Sequence, residues 1–300
     1  MNVNRIVPQR GLPTVGAWCF LDHFGPQRVH MQVDPHPHMG LQTVTWPLSG
    51  HIRHRDSLGS DVVLRPGELN LMTAGAGISH SEYSLTDAPG SSGEVEALQF
   101  WIALPDAARS VPASFAQHTQ LPDLTLPALA GDHARVSVVM GSLAGVTSPA
   151  QTFSPLVGAQ VVLAPASTVR IPLEPQWEHA LVLLHGDVGI TGDGGPVHPG
   201  VDDLAYLGSG APTVEVSSAT GATLFLFGGE PLDEQLVMWW NFVGRSHEDI
   251  VQAWNDWQFS VDLPGANARF GSVSGHGSDR IPAPPLPTVR LKPRGAPRRR

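Results

Sequence analysis

Apolar residues cluster along this chain in short runs, several alternating with polar positions and most bounded by turn-forming residues. Leu41–Leu48, Asp61–Leu64, Val95–Leu104, Arg135–Met140, Gln160–Leu163 and Ala180–Leu184 read as strands. So do Val188–Ile190, Leu204–Leu207, Thr213–Val216 and Thr223–Phe227. Short strands separated by Ser-Gly, Pro-Gly and Gly-Asp-Gly-Gly turns predict a β-sandwich or barrel. One stretch breaks this rhythm. Ser246-His-Glu-Asp249 opens like a capping box, and Ile250, Val251, Trp254 and Trp257 follow at helical spacing. A helix is predicted there, laying its tryptophan face against a barrel.

The segment from Leu104 to Gly131 is rich in Ala, Pro, Leu and Asp and alternates weakly, so it reads as a linker. The expected organisation is an N-terminal domain over 1–110, a linker over 111–132 and a second domain over 133–272 carrying the helix near 246–258. An extended, Pro-rich basic tail follows over 273–300. Composition strengthens the all-β expectation: 32 Gly and 28 Pro make up a fifth of the 300 residues, and both residue types break helices. A hydrophobic fraction of 41% is enough for a core, and no apolar run approaches a membrane span.

Charge narrows the partners. The net charge is −9, yet residues 281–300 carry Arg290, Lys292, Arg294, Arg298, Arg299 and Arg300 and no acid. The rest of the chain is therefore more acidic than the total suggests, which argues against a nucleic-acid surface. The single cysteine, Cys19, sits in the apolar Trp18-Cys-Phe-Leu21 and excludes an internal disulfide framework. With no apolar run opening the chain, a cytoplasmic location is expected.

The chemistry concentrates in two pairs. In Asp34-Pro-His-Pro-His38 the imidazoles of His36 and His38 stand two residues apart, and on a strand they share one face. Pro35 and Pro37 would face the other way and confine the strand to an edge. His80 and Glu82 repeat the spacing after the turn-like Gly75-Ala-Gly77. If their strand faces the first across a barrel, three imidazoles and one carboxylate converge. Such a set suits Fe(II), and also Mn, Ni, Cu or Zn, and four protein ligands on an octahedral ion leave two positions open. Phe20, Met72 and Trp101 could wall an apolar pocket, or simply pack. His23 is read as a hydrogen-bonding or surface residue, His51 and His54 as exposed. His179, His185 and His198 form no set, so the second half reads as metal-free.

At these residues the chain resembles the pirin family of bicupins. The likeness is carried by Trp18–Gly25, Asp34–His38, Met72–Gly75 with His80-Ser-Glu82, Leu98–Trp101, Phe227–Leu232 and the late helix, from about residue 10 to residue 272. The resemblance implies two tandem cupin (jelly-roll-like) β-barrels, with one metal, usually iron, in the first. Its ligands would be His36, His38, His80 and Glu82. It further implies an iron-dependent dioxygenase of quercetin 2,3-dioxygenase type, acting on a flavonol-like or enolic aromatic with dioxygen, in which Glu82 could double as the catalytic base. The alternative is a metal- or redox-sensing regulator that binds protein partners without turnover, since the human member of the family is described as a nuclear transcriptional co-regulator. One position departs from the pattern: Gln42 stands four residues after the second His, where cupins and commonly pirins have Glu. Counting parity from His38, Gln42 is expected to point inward beside the site.

Overall fold

The computed structural model describes residues 1–85, 93–192, 195–259 and 269–293. The regular structure of the described chain is almost entirely strand, as the turn-rich sequence predicts, and the chain falls into two compact units. Unit 1 comprises Met1–Arg5, Phe20–Thr119 and Asp233–Arg300, and unit 2 comprises Ile6–Cys19 and Gln120–Leu232.

The first ten strands are β1 (Val3–Val7), β2 (Trp18–Val29), β3 (Gln32–His38), β4 (Leu41–Ser49), β5 (His51–Asp56), β6 (Asp61–Leu64), β7 (Leu69–Thr73), β8 (Ile78–Leu85), β9 (Gly93–Ala103) and β10 (Ser114–His118). They form a six-stranded sheet in the order β1-β2-β9-β4-β7-β10 and a four-stranded sheet in the order β3-β8-β5-β6. Side chains from β4 and β9 hydrogen-bond to β8, so the two sheets of unit 1 face each other. Strand β3 is the edge of its sheet, which is where the alternating prolines can be tolerated. Gly40 lies in the tight turn between β3 and β4 with φ +73°; a Cβ there would stand 2.0 Å from the Val243 carbonyl oxygen. That turn resets strand parity, with consequences for Gln42.

Unit 2 is built from β11 (Asp123–Leu126), β12 (Ala128–Ala130), β13 (Ala134–Leu143), β14 (Val146–Thr147), β15 (Leu156–Leu163), β16 (Ser167–Pro172), β17 (Glu178–Gly186), β18 (Gly189–Gly192), β19 (Gly195–Val197), β20 (Leu204–Gly208), β21 (Thr213–Ser218) and β22 (Ala222–Gly229). One sheet runs β11-β13-β15-β22-β17-β20 with β14 on β13, and the other runs β12-β16-β21-β18-β19. Val136, Val161, Leu181 and Leu224 from the first pack with Val169, Ile171, Ile190 and Val216 from the second in one buried cluster. All ten strands predicted from alternation fall on observed strands.

The expected boundaries need correction. The segment 111–132 is not a plain linker: β10 extends the unit 1 sheet through β7, while β11 and β12 join the two sheets of unit 2. After β22 come β23 (Val237–Trp239), β24 (Phe242–Gly244) and the helix α1 (His247–Gln258). The helix is capped as predicted, Ser246 accepting from the Asp249 N–H and the Asp249 carboxylate from the Ser246 N–H. It belongs to unit 1, not to the second domain. Its buried face, Ile250, Ala253 and Trp257, packs with Met39, Val237, Phe242 and Phe270. The tail follows it: the Ile281 N–H donates to the Pro35 carbonyl, and the Trp257 indole donates to the Ile281 carbonyl. Arg290 pairs with Glu248, whereas Arg294 and Arg298–Arg300 lie outside the described residues. Among the described residues no helix is long and apolar enough to cross a membrane.

Trp18 in unit 2 anchors the start of β2. It is fully buried, its indole N–H donates to the Gly228 carbonyl at 3.0 Å, and its ring meets Phe227 edge-on at 5.9 Å. Trp18→Ala is expected to cost ~3–5 kcal/mol, the usual loss for a buried tryptophan. Urea denaturation checks this, and a loss under ~1 kcal/mol would show that the site is not tightly packed.

Candidate metal centre

Strands β3 and β8 bring the two predicted pairs together as neighbours within one sheet, not across a barrel as expected. His36 stands opposite His80 in the antiparallel register, and an irregularity between Val33 and His36 shifts the pairing before Glu82. Because side chains two apart share a face, His38 joins them on the interior side. The three ring centroids are 4.4 Å (His36–His80), 4.9 Å (His38–His80) and 5.0 Å (His36–His38) apart. One ring nitrogen from each lies within 4.8 Å of the others, and all three residues are buried.

Hydrogen bonds show which nitrogens face inward. His36 Nδ1 donates to the Asp34 carbonyl at 2.9 Å, so its Nε2 carries the lone pair. His80 Nδ1 is engaged by His54 Nδ1 at 3.3 Å, and its Nε2 makes no hydrogen bond. His38 makes none with either nitrogen. Buried polar atoms are nearly always paired, and a cluster of unpartnered imidazole nitrogens is a set that could hold an ion.

Electrostatics agree with this. Burial pushes the His36, His38 and His80 pKa values down, the last two far down. Mutual repulsion among the rings adds to the effect at His38 and His80. The Asp34 carbonyl and the Glu82 carboxylate partly offset it at His36. Neutral imidazole is the form that binds metals.

Glu82 is held differently. Its Oε1 accepts from the Thr45 hydroxyl at 3.2 Å and its Oε2 from the Gln99 amide at 2.9 Å. Thr45 and Gln99 are a cross-strand pair on the facing sheet. The carboxylate comes within 4.8 Å of ligand nitrogens of His80 and His54, forming a second group that shares His80 with the first. The four predicted residues thus occupy one interior, with Glu82 at its side.

Several expectations change here. Gln42 does not point at the site. Its amide donates to Thr73, its partner on β7, and alternation along β4 puts it on the face opposite Thr45. Counting parity through the Gly40 turn caused the error. His54 is buried, not exposed; on β5 it shares the inward face with Ile52 and Asp56, while His51 is exposed as expected. The missed signal was a third pair at the same spacing, His54-Arg-Asp56. His23 is buried and bonded to Glu96 at 3.0 Å. Cys19 is buried, as expected. Phe20 stacks on Trp101 at 3.9 Å, and Trp101 meets His38 edge-on at 5.4 Å, so Trp101 stands beside the cluster. Met72 packs instead with Ala74 and Ile78. Among the described residues, the groups able to hold a metal lie in unit 1.

An all-β chain of paired sheets with His-x-His and His-x-Glu on adjacent inner strands defines a cupin. The family models for Pirin and for the Pirin C-terminal cupin domain match residues 1–102 and 158–260. This chain belongs to the pirin family. It is 40% identical, over 96% of its length and 86% of the other, to a Pseudomonas aeruginosa protein provisionally named a quercetin 2,3-dioxygenase. It is 30% identical to human Pirin over 84% of each chain. The crystal structure of quercetin 2,3-dioxygenase from Acinetobacter baumannii, 36% identical, superposes with a TM-score of 0.84 over 96% of this chain and 92% of that one.

Proposed function

We propose that this pirin is a metal-dependent dioxygenase of quercetin 2,3-dioxygenase type, with Fe(II) held by His36, His38, His80 and Glu82. The unpartnered nitrogens of His38 and His80, buried in a cluster of neutral imidazoles, carry the reading. Mn, Ni, Cu and Zn fit the same donors. Two relatives named for this activity, one solved at a TM-score of 0.84, support the choice of reaction.

When bound, the metal supplies a Lewis acid for an enolate oxygen and a redox partner for dioxygen. The chain's own residues do the rest. Trp101, backed by the stacked Phe20 and edge-on to His38, sets an apolar wall beside the cluster, suited to a planar aromatic substrate. Glu82, held by two neutral donors, can receive the proton of the substrate's enolic hydroxyl at a carboxylate oxygen. Thr45 and Gln99 keep that carboxylate oriented meanwhile. The inward face of the cluster excludes bulk water, since His38, His80, Thr45 and Trp101 are all buried. The partners are therefore a small enolic molecule and dioxygen. A chain with a single cysteine forms no internal disulfide and suits a reducing compartment, and we place the reaction in the cytoplasm.

The test mixes protein reconstituted with Fe(II), Mn, Ni or Cu anaerobically with quercetin and then admits oxygen. A shift in the flavonol spectrum before oxygen, and oxygen uptake after it, are expected with at least one metal. No spectral change and no turnover with any of the four would overturn the dioxygenase reading and leave a metal-holding regulator.

A further inference from the structure

Beyond the four residues of the metal reading, on which this inference rests, lies a buried chain of groups that ends on His80. We infer that Asp56 and His54 are positioning residues that fix His80 in its Nδ1–H tautomer and so make Nε2 its metal-facing donor.

Asp56 is buried at the end of β5. Its Oδ1 accepts two backbone N–H groups, from Leu58 at 2.9 Å and Ser60 at 3.0 Å. Its Oδ2 lies 3.1 Å from His54 Nε2. A carboxylate so held only accepts, so the His54 proton sits on Nε2. That leaves the lone pair of a neutral His54 on Nδ1. This atom is 3.3 Å from His80 Nδ1, which must therefore carry the proton between them. The remaining nitrogen, His80 Nε2, is bare, buried and unpartnered, on a ring whose centroid stands 4.4 Å from that of His36 and 4.9 Å from that of His38.

Packing fixes the geometry. The His54 ring stacks on Phe115 at 4.4 Å with an interplanar angle of 15°, which stops it turning. Register does the rest: β5 sets His54 opposite Glu82 and Asp56 opposite His80, so all three inward positions of the relay come from one antiparallel pair. His36 achieves the same orientation more simply, through the Asp34 carbonyl. Outer partners of this kind fix ligand tautomers and usually contribute about 10–100-fold to metal affinity.

The test uses the full chain, first metal-free and then titrated with Zn(II). In metal-free wild type, long-range 15N–1H NMR correlations, assigned with a His80→Asn variant, should show His80 as the Nδ1–H tautomer. In Asp56→Asn the amide can donate to His54 Nε2, which moves the His54 proton to Nδ1 and turns a donor toward His80. His80 should then leave the Nδ1–H form, and Zn(II) affinity should fall about 10–100-fold against a chelator competitor. Asp61→Asn, an exposed acid on β6, should change neither. A wild-type His80 in the Nε2–H form overturns the inference, as does unchanged tautomer and affinity in Asp56→Asn. If Asp56→Asn does not fold, the wild-type tautomer decides alone. Wild type that binds no Zn(II), Fe(II) or Mn(II) defeats the metal reading instead, and the NMR result still judges the relay.

Discussion

His38→Leu is expected to remove most of the chain's capacity for metal while leaving the metal-free fold about as stable as wild type. Four-ligand structural zinc sites bind with roughly 10–16 kcal/mol, so one ligand is worth ~3–4 kcal/mol, or about 10²–10³ in affinity. The second half of the expectation separates a ligand from a core residue. Both His38 nitrogens are buried without a hydrogen bond, so the metal-free protein carries a desolvated polar group that nothing repays. Such a group costs about 1–3 kcal/mol, and an apolar replacement of similar volume relieves it. Metal analysis of the purified protein, Zn(II) competition and urea denaturation measure the two effects together. Equal metal in wild type and variant would refute the ligand role. Equal loss of metal and of fold would show only that His38 is structural.

The dependence of this site on adjacent strands explains which parts were legible. Runs such as Asp61–Leu64 and Thr223–Phe227 stand out because apolar residues cluster between turns. Strand β2 does not alternate: Trp18–Phe24 is buried at every position, so neither face reads as polar. The motifs in β3 and β8 picked out residues that the fold brings together, because two-residue spacing is a local property. Whether two strands are neighbours or face each other is not local, and here they are neighbours. Gln42 failed for a related reason, since parity holds only within one strand and Gly40 ends it. The helix was legible from its cap, but its allegiance to unit 1 depends on packing with Met39 and Phe270, far away in sequence.

Thr45, Gln99, His54 and Asp56 were missed because each is an ordinary strand residue until register places it. Thr45 and Gln99 matter only because β4 and β9 pair them across from Glu82. His54 and Asp56 were within reach of the same spacing rule that found the other pairs. Polar residues on the inward face of a strand have to be satisfied or put to use, and His-x-Asp beside His-x-His and His-x-Glu is a pattern of three.

The burial that readies the histidines for a metal also sets how the metal-free protein responds to acid. In the folded chain His36, His38 and His80 titrate below their ordinary value because burial penalises their charged forms. In unit 2, burial lowers His179 to about 4, with the hydrogen bond its imidazole donates to the Trp177 backbone opposing it. Unfolded histidine titrates near ~6.5. Between that value and each lowered one, the unfolded chain binds protons that the folded chain refuses, so stability must fall as pH falls. Each such histidine costs up to about 1.4 kcal/mol per pH unit below ~6.5, which makes ~3 kcal/mol for His179 by pH 4. The three site histidines act in the same direction. The urea midpoint of metal-free protein is therefore expected to hold steady from pH 8 to 7 and to drop steeply between 6.5 and 5, above the range where carboxylates titrate. His179→Gln should make that drop shallower, and His38→Leu should do so independently, since the two groups sit in different units. A midpoint that stays flat or rises from pH 6.5 to 5 would mean that these imidazoles are not held neutral, and with that the case for their readiness to bind metal would fail.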